Sequence, residues 1–175
     1  MLLPGRREAL ILGATGLGAL VAGSVVGALA LQSGSGAADL LAASFVDLDG
    51  ESRPIREWQG RVLLCNFWAT WCEPCRREVP LLVAAQQQYF AQGLTIVGIG
   101  IDSAEKIRQF SAKYRIGYPS LVGNAEAFTL LRRLGNRSGG LPYSVVLDRN
   151  GALSSRRLGA FARHELERVL AGILR

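Results

Sequence analysis

Apolar residues in this chain form short continuous runs that are separated by segments with apolar residues at helical spacing. The runs Arg61–Trp68 and Leu94–Ile101 are typical of strands that are covered on both faces. Between them, the pattern of Glu73–Phe90 predicts a helix. Further strands are predicted at Phe45–Leu48, Glu51–Arg53, Tyr143–Leu147 and Ala152–Leu158, a short extended piece at Tyr118–Val122, and further helices at Ser103–Tyr114, Asn124–Leu134 and Phe161–Leu174.

The N-terminal part of the chain predicts an export signal or a membrane anchor. Arg6 and Arg7 precede the uncharged segment Ala9–Leu31, which is long enough to span a bilayer, since a spanning helix needs about 20 apolar residues. Cleavage near Ala28–Ala30 would release the protein, and the paired arginines partly resemble a twin-arginine signal. The chain is therefore divided into a signal peptide or anchor at residues 1–31, a flexible linker at 32–43 and a folded domain at 44–175.

Composition and charge narrow the possible partners. The chain has 175 residues, of which 49% are hydrophobic, so a domain of this size can bury a substantial core. The formal net charge is +6, and the excess is almost entirely arginine that is scattered along the sequence. A nucleic-acid-binding surface would need a basic face with aromatic platforms. We therefore expect no nucleic-acid partner.

A pair of cysteines lies at the junction between the first long strand and the first helix. Cys72 falls near the predicted helix N-terminus, where unpaired N–H groups and the helix dipole favour the reactive thiolate. Cys75 lies one turn further, where it would be more shielded and able to resolve a mixed disulfide. The third cysteine, Cys65, lies within the strand and is expected to act as a small buried apolar residue.

Metal binding is not expected at this pair of cysteines. A zinc site would need a second pair of ligands, but Cys65 is predicted to be buried and His164 in the last helix is the only histidine. We therefore expect no metal and no bound cofactor, with a redox-active Cys72–Cys75 disulfide as the reactive group.

Three neighbours of the cysteines are expected to shape the site. Pro74 suits the first turn of a helix, where a backbone donor would be idle. The carboxylate of Glu73 opposes thiolate formation and would make the pair less oxidising, or it simply suits the helix dipole. Trp71 is expected to shield Cys72 and to form part of the surface that contacts a substrate.

The segment Asn66–Pro80, NFWATWCEPCRREVP, resembles the TlpA/ResA-like group of membrane-associated thiol–disulfide oxidoreductases in the thioredoxin superfamily. The resemblance extends from Phe45 to the C-terminus. It implies an α/β thioredoxin fold, in which helices flank a central mixed sheet. It further implies an extra N-terminal β-hairpin within Phe45–Gly60. The uncharged segment Ala9–Leu31 would form a hydrophobic helix ahead of this domain.

The resemblance also implies roles for residues outside the cysteine pair. Gly140–Pro142 is similar to the cis-proline loop of the group, in which the backbone of Leu141 would pair with an extended substrate. Glu78 matches an acidic position that takes part in proton handling, and as a partly desolvated carboxylate it could accept the proton of Cys75. The alternative for Glu78 is an ordinary surface position on the helix.

The resemblance implies an exported protein-disulfide reductase that acts on the extracytoplasmic side of the bacterial cytoplasmic membrane. Its substrates would be specific proteins, with apocytochrome c as a candidate, and a membrane electron-donor protein would re-reduce it, because that compartment is oxidising. Three alternatives stay open: a disulfide oxidase or isomerase, a thiol peroxidase-like antioxidant protein, and a binding module that keeps the fold without turnover.

Overall fold

The computed structural model describes residues 36–175. The predicted signal peptide or anchor at residues 1–31 lies outside this part of the chain. Among the residues that the structure describes, no helix is both long enough and apolar enough to cross a bilayer.

The described chain forms a mixed sheet flanked by helices, in agreement with the predicted thioredoxin fold. The strands are β1 (Ser44–Asp47), β2 (Ser52–Pro54), β3 (Val62–Trp68), β4 (Leu94–Gly100), β5 (Ser120–Val122), β6 (Tyr143–Leu147) and β7 (Leu153–Leu158). The helices are α1 (residues 36–42), α2 (Glu73–Tyr89), α3 (Ala104–Tyr114), α4 (Ala125–Arg133) and α5 (Arg163–Ile173), with 3-10 turns at Ile55–Trp58 and Phe90–Gln92.

The strand order is β2-β1-β5-β4-β3-β6-β7, which places β3 inside the sheet. β3 runs parallel to β4 and antiparallel to β6, while β1 pairs antiparallel with both β2 and β5. The β1–β2 hairpin therefore extends the sheet beyond β5. Its turn is held by Asp47, whose carboxylate accepts the N–H groups of Asp49 and Glu51.

Alternate residues of β3 face the two sides of the sheet, as the period of a strand requires. Leu63, Cys65 and Phe67 pack in a buried cluster to which α1 and α4 contribute. Leu64 packs on the other side with residues of α2 and α5, and Trp68 packs there with the cysteine pair and α3. Both faces of β3 are covered, which explains why every residue of the strand except Asn66 is apolar.

The prediction of a flexible linker at residues 32–43 is wrong over residues 36–42, because these residues are helical. The Ser, Gly and Ala composition suggested a linker, but alanine and leucine also have high helix propensity. Leu40 is fully buried and Ala37 is nearly so, and both belong to the cluster that contains Leu130 and Leu131 of α4. This apolar face gives the helical residues 36–42 tertiary packing against α4.

Replacing Leu40 by alanine is expected to lower the free energy of unfolding by about 3 kcal/mol, because it removes a fully buried side chain from a packed cluster. Urea unfolding followed by far-UV circular dichroism measures the change. Ala38→Ser is the matched control, since Ala38 lies on the exposed side of the same helix and its replacement changes stability by only about 0.5 kcal/mol. Equal stability of Leu40→Ala and the wild type would show that α1 does not stabilise the domain.

Candidate active site

The two cysteines lie where β3 leads into α2 and form a disulfide bond with their Sγ atoms 2.04 Å apart. Cys72 is the N-cap residue of α2, and its Sγ accepts the backbone N–H of Cys75 at 3.3 Å. A sulfur at this position meets backbone donors that have no partner within the helix, and these donors stabilise negative charge on it. The geometry thus favours a thiolate at Cys72 once the disulfide is reduced.

The exposure of the site is graded along the chain. Trp71 is 68% exposed, Cys72 is 6% exposed and Cys75 is 1% exposed. From the solvent side, the indole of Trp71 is the most accessible of these groups, Cys72 is slightly accessible and Cys75 is shielded. An attacking thiol at Cys72 and a resolving thiol at Cys75 would need this order of exposure.

The first turn of α2 contains Glu73 and Pro74, as expected. Glu73 is exposed, and its carboxylate forms ion pairs with Arg76 at 3.6 Å and with Arg77 at 3.1 Å. These two positive charges offset the negative charge beside Cys72. The electrostatic opposition to the thiolate that was expected from Glu73 is therefore weaker than the sequence position alone indicates.

The peptide bond between Leu141 and Pro142 is cis. Leu141 is half-buried and packs against the apolar cluster that contains both cysteines. Within residues 36–175, the backbone groups of Leu141 have no hydrogen-bond partner, while the Pro142 carbonyl accepts the N–H of Gly159 at 2.8 Å. The loop therefore lies beside the cysteine pair with backbone groups available for another chain.

Glu78 is buried, with 2% of its surface exposed, so the alternative of an ordinary surface glutamate is wrong. Its Oε1 accepts the backbone N–H of Phe161 at 2.7 Å, and its Oε2 accepts the Nδ2 group of Asn66 at 3.1 Å. Burial raises the pKa of the Glu78 carboxyl, and the two hydrogen bonds and the charge of Arg157 oppose that rise. The result is a carboxyl group that titrates above its ordinary range one turn beyond Cys75.

The sequence analysis missed the partners of Glu78. The Asn66 amide donates both to Glu78 and to the Ser144 hydroxyl, the latter at 2.9 Å. One available signal was a polar residue in each of two apolar strands, since Asn66 and Ser144 are direct neighbours in β3 and β6. Phe161 gave no such signal, because it acts through its backbone. The helix predicted from Phe161 begins instead at Arg163, and the Phe161 N–H, which lies just ahead of it, donates to Glu78.

The third cysteine is isolated from this chemistry. Cys65 is a free thiol and is fully buried, as the sequence indicated, and burial raises its pKa. Over residues 36–175, no group of histidine, cysteine and acidic side chains has an arrangement that could hold a metal ion.

Known proteins resemble this chain in sequence and in structure. The sequence model of the AhpC/TSA family matches residues 34–156. Thioredoxin-like protein YneN of Bacillus subtilis (strain 168) is 31% identical over 148 residues, which cover 80% of this chain and 79% of YneN. Thiol-disulfide oxidoreductase ResA of Geobacillus kaustophilus (strain HTA426) is 26% identical over 145 residues, which cover 82% of this chain and 79% of ResA.

The crystal structure of a thiol:disulfide interchange protein of the thioredoxin family from Chlorobium tepidum TLS has the same fold. It superposes with a TM-score of 0.67 at 28% sequence identity, and the match covers 76% of this chain and 93% of that protein. The family match spans most of the described domain and includes both cysteines. The chain therefore belongs to the AhpC/TSA family and is a thiol–disulfide oxidoreductase of the TlpA/ResA-like group.

Proposed function

We propose that this protein reduces disulfide bonds in specific proteins on the extracytoplasmic side of the bacterial cytoplasmic membrane. The observation that carries the proposal is the position of the Cys72–Cys75 pair at the N-terminus of α2, with the buried carboxyl of Glu78 one turn further along the same helix. The similarity to ResA supports the same chemistry. No bound cofactor is needed, because the two sulfur atoms carry the electrons.

The reaction proceeds in two exchanges from the reduced form. The Cys72 thiolate attacks one sulfur of a substrate disulfide, the substrate S–S bond breaks, and its other sulfur leaves as a thiolate. Cys75 then loses its proton and attacks the Cys72 sulfur, which forms the Cys72–Cys75 bond and releases the remaining substrate sulfur as a thiolate. Two electrons pass to the substrate. The oxidised protein is then reduced by a two-electron donor, for which we propose a membrane protein, since this compartment is oxidising.

Glu78 is proposed to accept the proton of Cys75. The two residues are three positions apart on α2 and share one face of the helix. Each Glu78 oxygen accepts one hydrogen bond, from Phe161 or from Asn66, and a carboxylate oxygen has a second lone pair that can take a proton. Because burial raises the pKa of Glu78, the group can hold this proton closer to neutral pH than an exposed carboxylate can.

The substrate is proposed to bind as an extended segment beside the cis-proline loop. The backbone of Leu141 would form a short β-type pairing with it, and the exposed face of Trp71, with Glu73 and Pro74, would contact residues that flank the substrate cysteine. Apocytochrome c, whose cysteines must be reduced before haem attachment, is the candidate substrate that the family resemblance favours. The segment at residues 1–31 would export the protein and either anchor it or be cleaved.

A thiol peroxidase is the second candidate, because the chain belongs to the AhpC/TSA family. A peroxidase of this type needs a threonine about one turn ahead of a single reactive cysteine. Thr70 is too close to Cys72 for that arrangement, and its hydroxyl donates instead to the Asp102 carboxylate. The geometry therefore favours dithiol exchange, and rapid peroxide consumption by the reduced protein would favour the peroxidase.

The Cys75→Ser variant is expected to accumulate a mixed disulfide through Cys72, because the second exchange cannot occur. The reduced variant is mixed with an oxidised peptide that contains two cysteines, and non-reducing electrophoresis with mass spectrometry identifies the linked residue. Cys72→Ser and Cys65→Ser are the controls. We expect no adduct with the former, since Cys75 is shielded, and wild-type behaviour from the latter. Failure of Cys75→Ser to form an adduct would contradict enzymatic exchange and favour the binding-module alternative.

The reduction potential of the Cys72–Cys75 pair is expected to lie near that of thioredoxin, about −270 mV, as a reductase requires. Equilibration of the protein with glutathione or dithiothreitol buffers, followed by quantification of both redox states, measures the potential. A value near that of a strong oxidant, about −120 mV, would reject the reductase and support the oxidase.

Glu78→Gln is expected to slow the second exchange by about 100-fold near neutral pH, because the proton acceptor is lost. Rapid-quench measurement of the decay of the mixed disulfide gives this rate. The difference from the wild type is expected to narrow at high pH, where the Cys75 thiol ionises without help. In the wild type, the rate falls as pH drops through the raised pKa of Glu78, because the carboxylate becomes protonated. Glu167→Gln, at an exposed glutamate of α5 that has no proposed part in the reaction, serves as control, and an equal effect of both variants would refute the role of Glu78.

A further inference from the structure

The residues that follow β7 contact two separate parts of the site through their backbone. The N–H of Gly159 donates to the carbonyl oxygen of Pro142 at 2.8 Å, and the N–H of Phe161 donates to Glu78 Oε1 at 2.7 Å. We refer to residues 159–162 as the 159–162 turn. The conformation of the 159–162 turn therefore sets the direction of one of the two hydrogen bonds that the buried Glu78 carboxylate accepts.

An ion pair holds the same turn from its other side. Arg157, in β7, donates its Nε–H to the carbonyl oxygen of Ala160 at 3.0 Å, and its two terminal nitrogens lie 3.0 and 2.9 Å from the two carboxylate oxygens of Glu165. Glu165 also accepts the N–H of Ala162 at 2.8 Å. The guanidinium lies 5.3 Å from the centre of the Phe161 ring. Each contact of this pair thus falls on a residue next to Phe161 or on Phe161 itself.

We propose that Arg157 and Glu165 are positioning residues for Glu78: their ion pair fixes the 159–162 turn so that the Phe161 N–H stays directed at the Glu78 carboxylate. The inference rests on the proposed role of Glu78 as proton acceptor. Arg157 is half-buried in the edge strand β7, and its proposed role depends on the planar shape of the guanidinium group. The planar group donates to a carboxylate in a bidentate manner and to a carbonyl at the same time, which an ammonium group cannot reproduce.

The charged and titratable groups around Glu78 set the sign of the expected effect. Arg157 supplies positive charge from β7, and Tyr118 near β5 is buried and stays neutral because burial and the charge of Glu78 raise its pKa. In the oxidised protein, Cys72 and Cys75 do not titrate. Loss of the Arg157–Glu165 pair would weaken the interactions that oppose the burial of the carboxylate. The pKa of Glu78 would then rise further above its ordinary value.

The test is a carbon-13 NMR titration of the glutamate side-chain carboxyls in the oxidised full-length protein, with the Glu78 signal assigned from its absence in Glu78→Gln. We expect the midpoint of Glu78 to move to higher pH in Arg157→Gln and in Glu165→Ala. Loss of the negative charge of Glu165 would by itself move the midpoint to lower pH, so a rise in Glu165→Ala reports the lost position of the turn and not the lost charge. We also expect Arg157→Lys to move it, because lysine keeps the charge but cannot form the three contacts of the guanidinium. Circular dichroism confirms that each variant is folded. If Arg157→Gln does not fold, Glu165→Ala decides the test.

Arg156→Gln and Glu167→Ala are the matched controls, since Arg156 is an exposed neighbour in β7 and Glu167 is an exposed neighbour in α5. We expect both to leave the Glu78 midpoint unchanged. An unchanged midpoint in folded Glu165→Ala would overturn the inference. So would a shift of equal size in Arg156→Gln, or a wild-type midpoint in Arg157→Lys, because either result would show that charge alone acts on Glu78.

The titration separates this inference from the proposed function, since it needs neither substrate nor turnover. Normal exchange by Glu78→Gln would refute the role of Glu78 as proton acceptor and leave the result of the titration intact. If both hold, the second exchange in Arg157→Gln is expected to slow by about tenfold near neutral pH, as for the loss of a charge-assisted hydrogen bond, and to recover as pH rises.

Discussion

The burial of one carboxyl group links the parts of this molecule that carry out its chemistry. A carboxylate removed from water is costly unless donors replace the lost solvent. Here β3 supplies the amide of Asn66 and the turn after β7 supplies the N–H of Phe161, so that Glu78 on α2 is held between segments that are distant in sequence. The central sheet, α2 and the turn after β7 must therefore be in place together before the carboxyl of Glu78 acquires its raised pKa.

The reactive cysteine pair and the surface proposed to contact a partner depend on different levels of structure. The reactive pair depends on local structure, because Cys72 caps a helix that directly follows a buried strand. The surface proposed for a partner depends on tertiary structure, since the loop at Leu141, which precedes β6, packs against the cluster of the two cysteines while β6 pairs with β3. Such a division allows the contact surface to vary between related proteins while the sulfur chemistry stays the same.

The features that were predictable from sequence depend on local patterns. The apolar runs of β3 and β4 and the cysteine pair need only neighbouring residues to be recognised. The features that were missed depend on distant contacts. Alanine and leucine at residues 36–42 suit either a linker or a helix until α4 is known to cover them. The partners of Glu78 were hidden for a similar reason, because a backbone N–H from a distant segment leaves little trace in composition. The arginine partners of Glu73 lie three and four residues further along the same helix, so their spacing could have indicated these ion pairs.

The burial of Cys65 limits which disulfide bonds the protein can form in the oxidising compartment where it is proposed to work. Its sulfur lies in the middle of β3 with no surface exposed, and burial raises its pKa and keeps it protonated. Exchange needs a thiolate within reach of another sulfur, and this one meets neither condition. With three cysteines, the chain could in principle join any two of them. The sheet removes the two wrong pairings, so each catalytic cycle returns to a single covalent isomer without help from an isomerase.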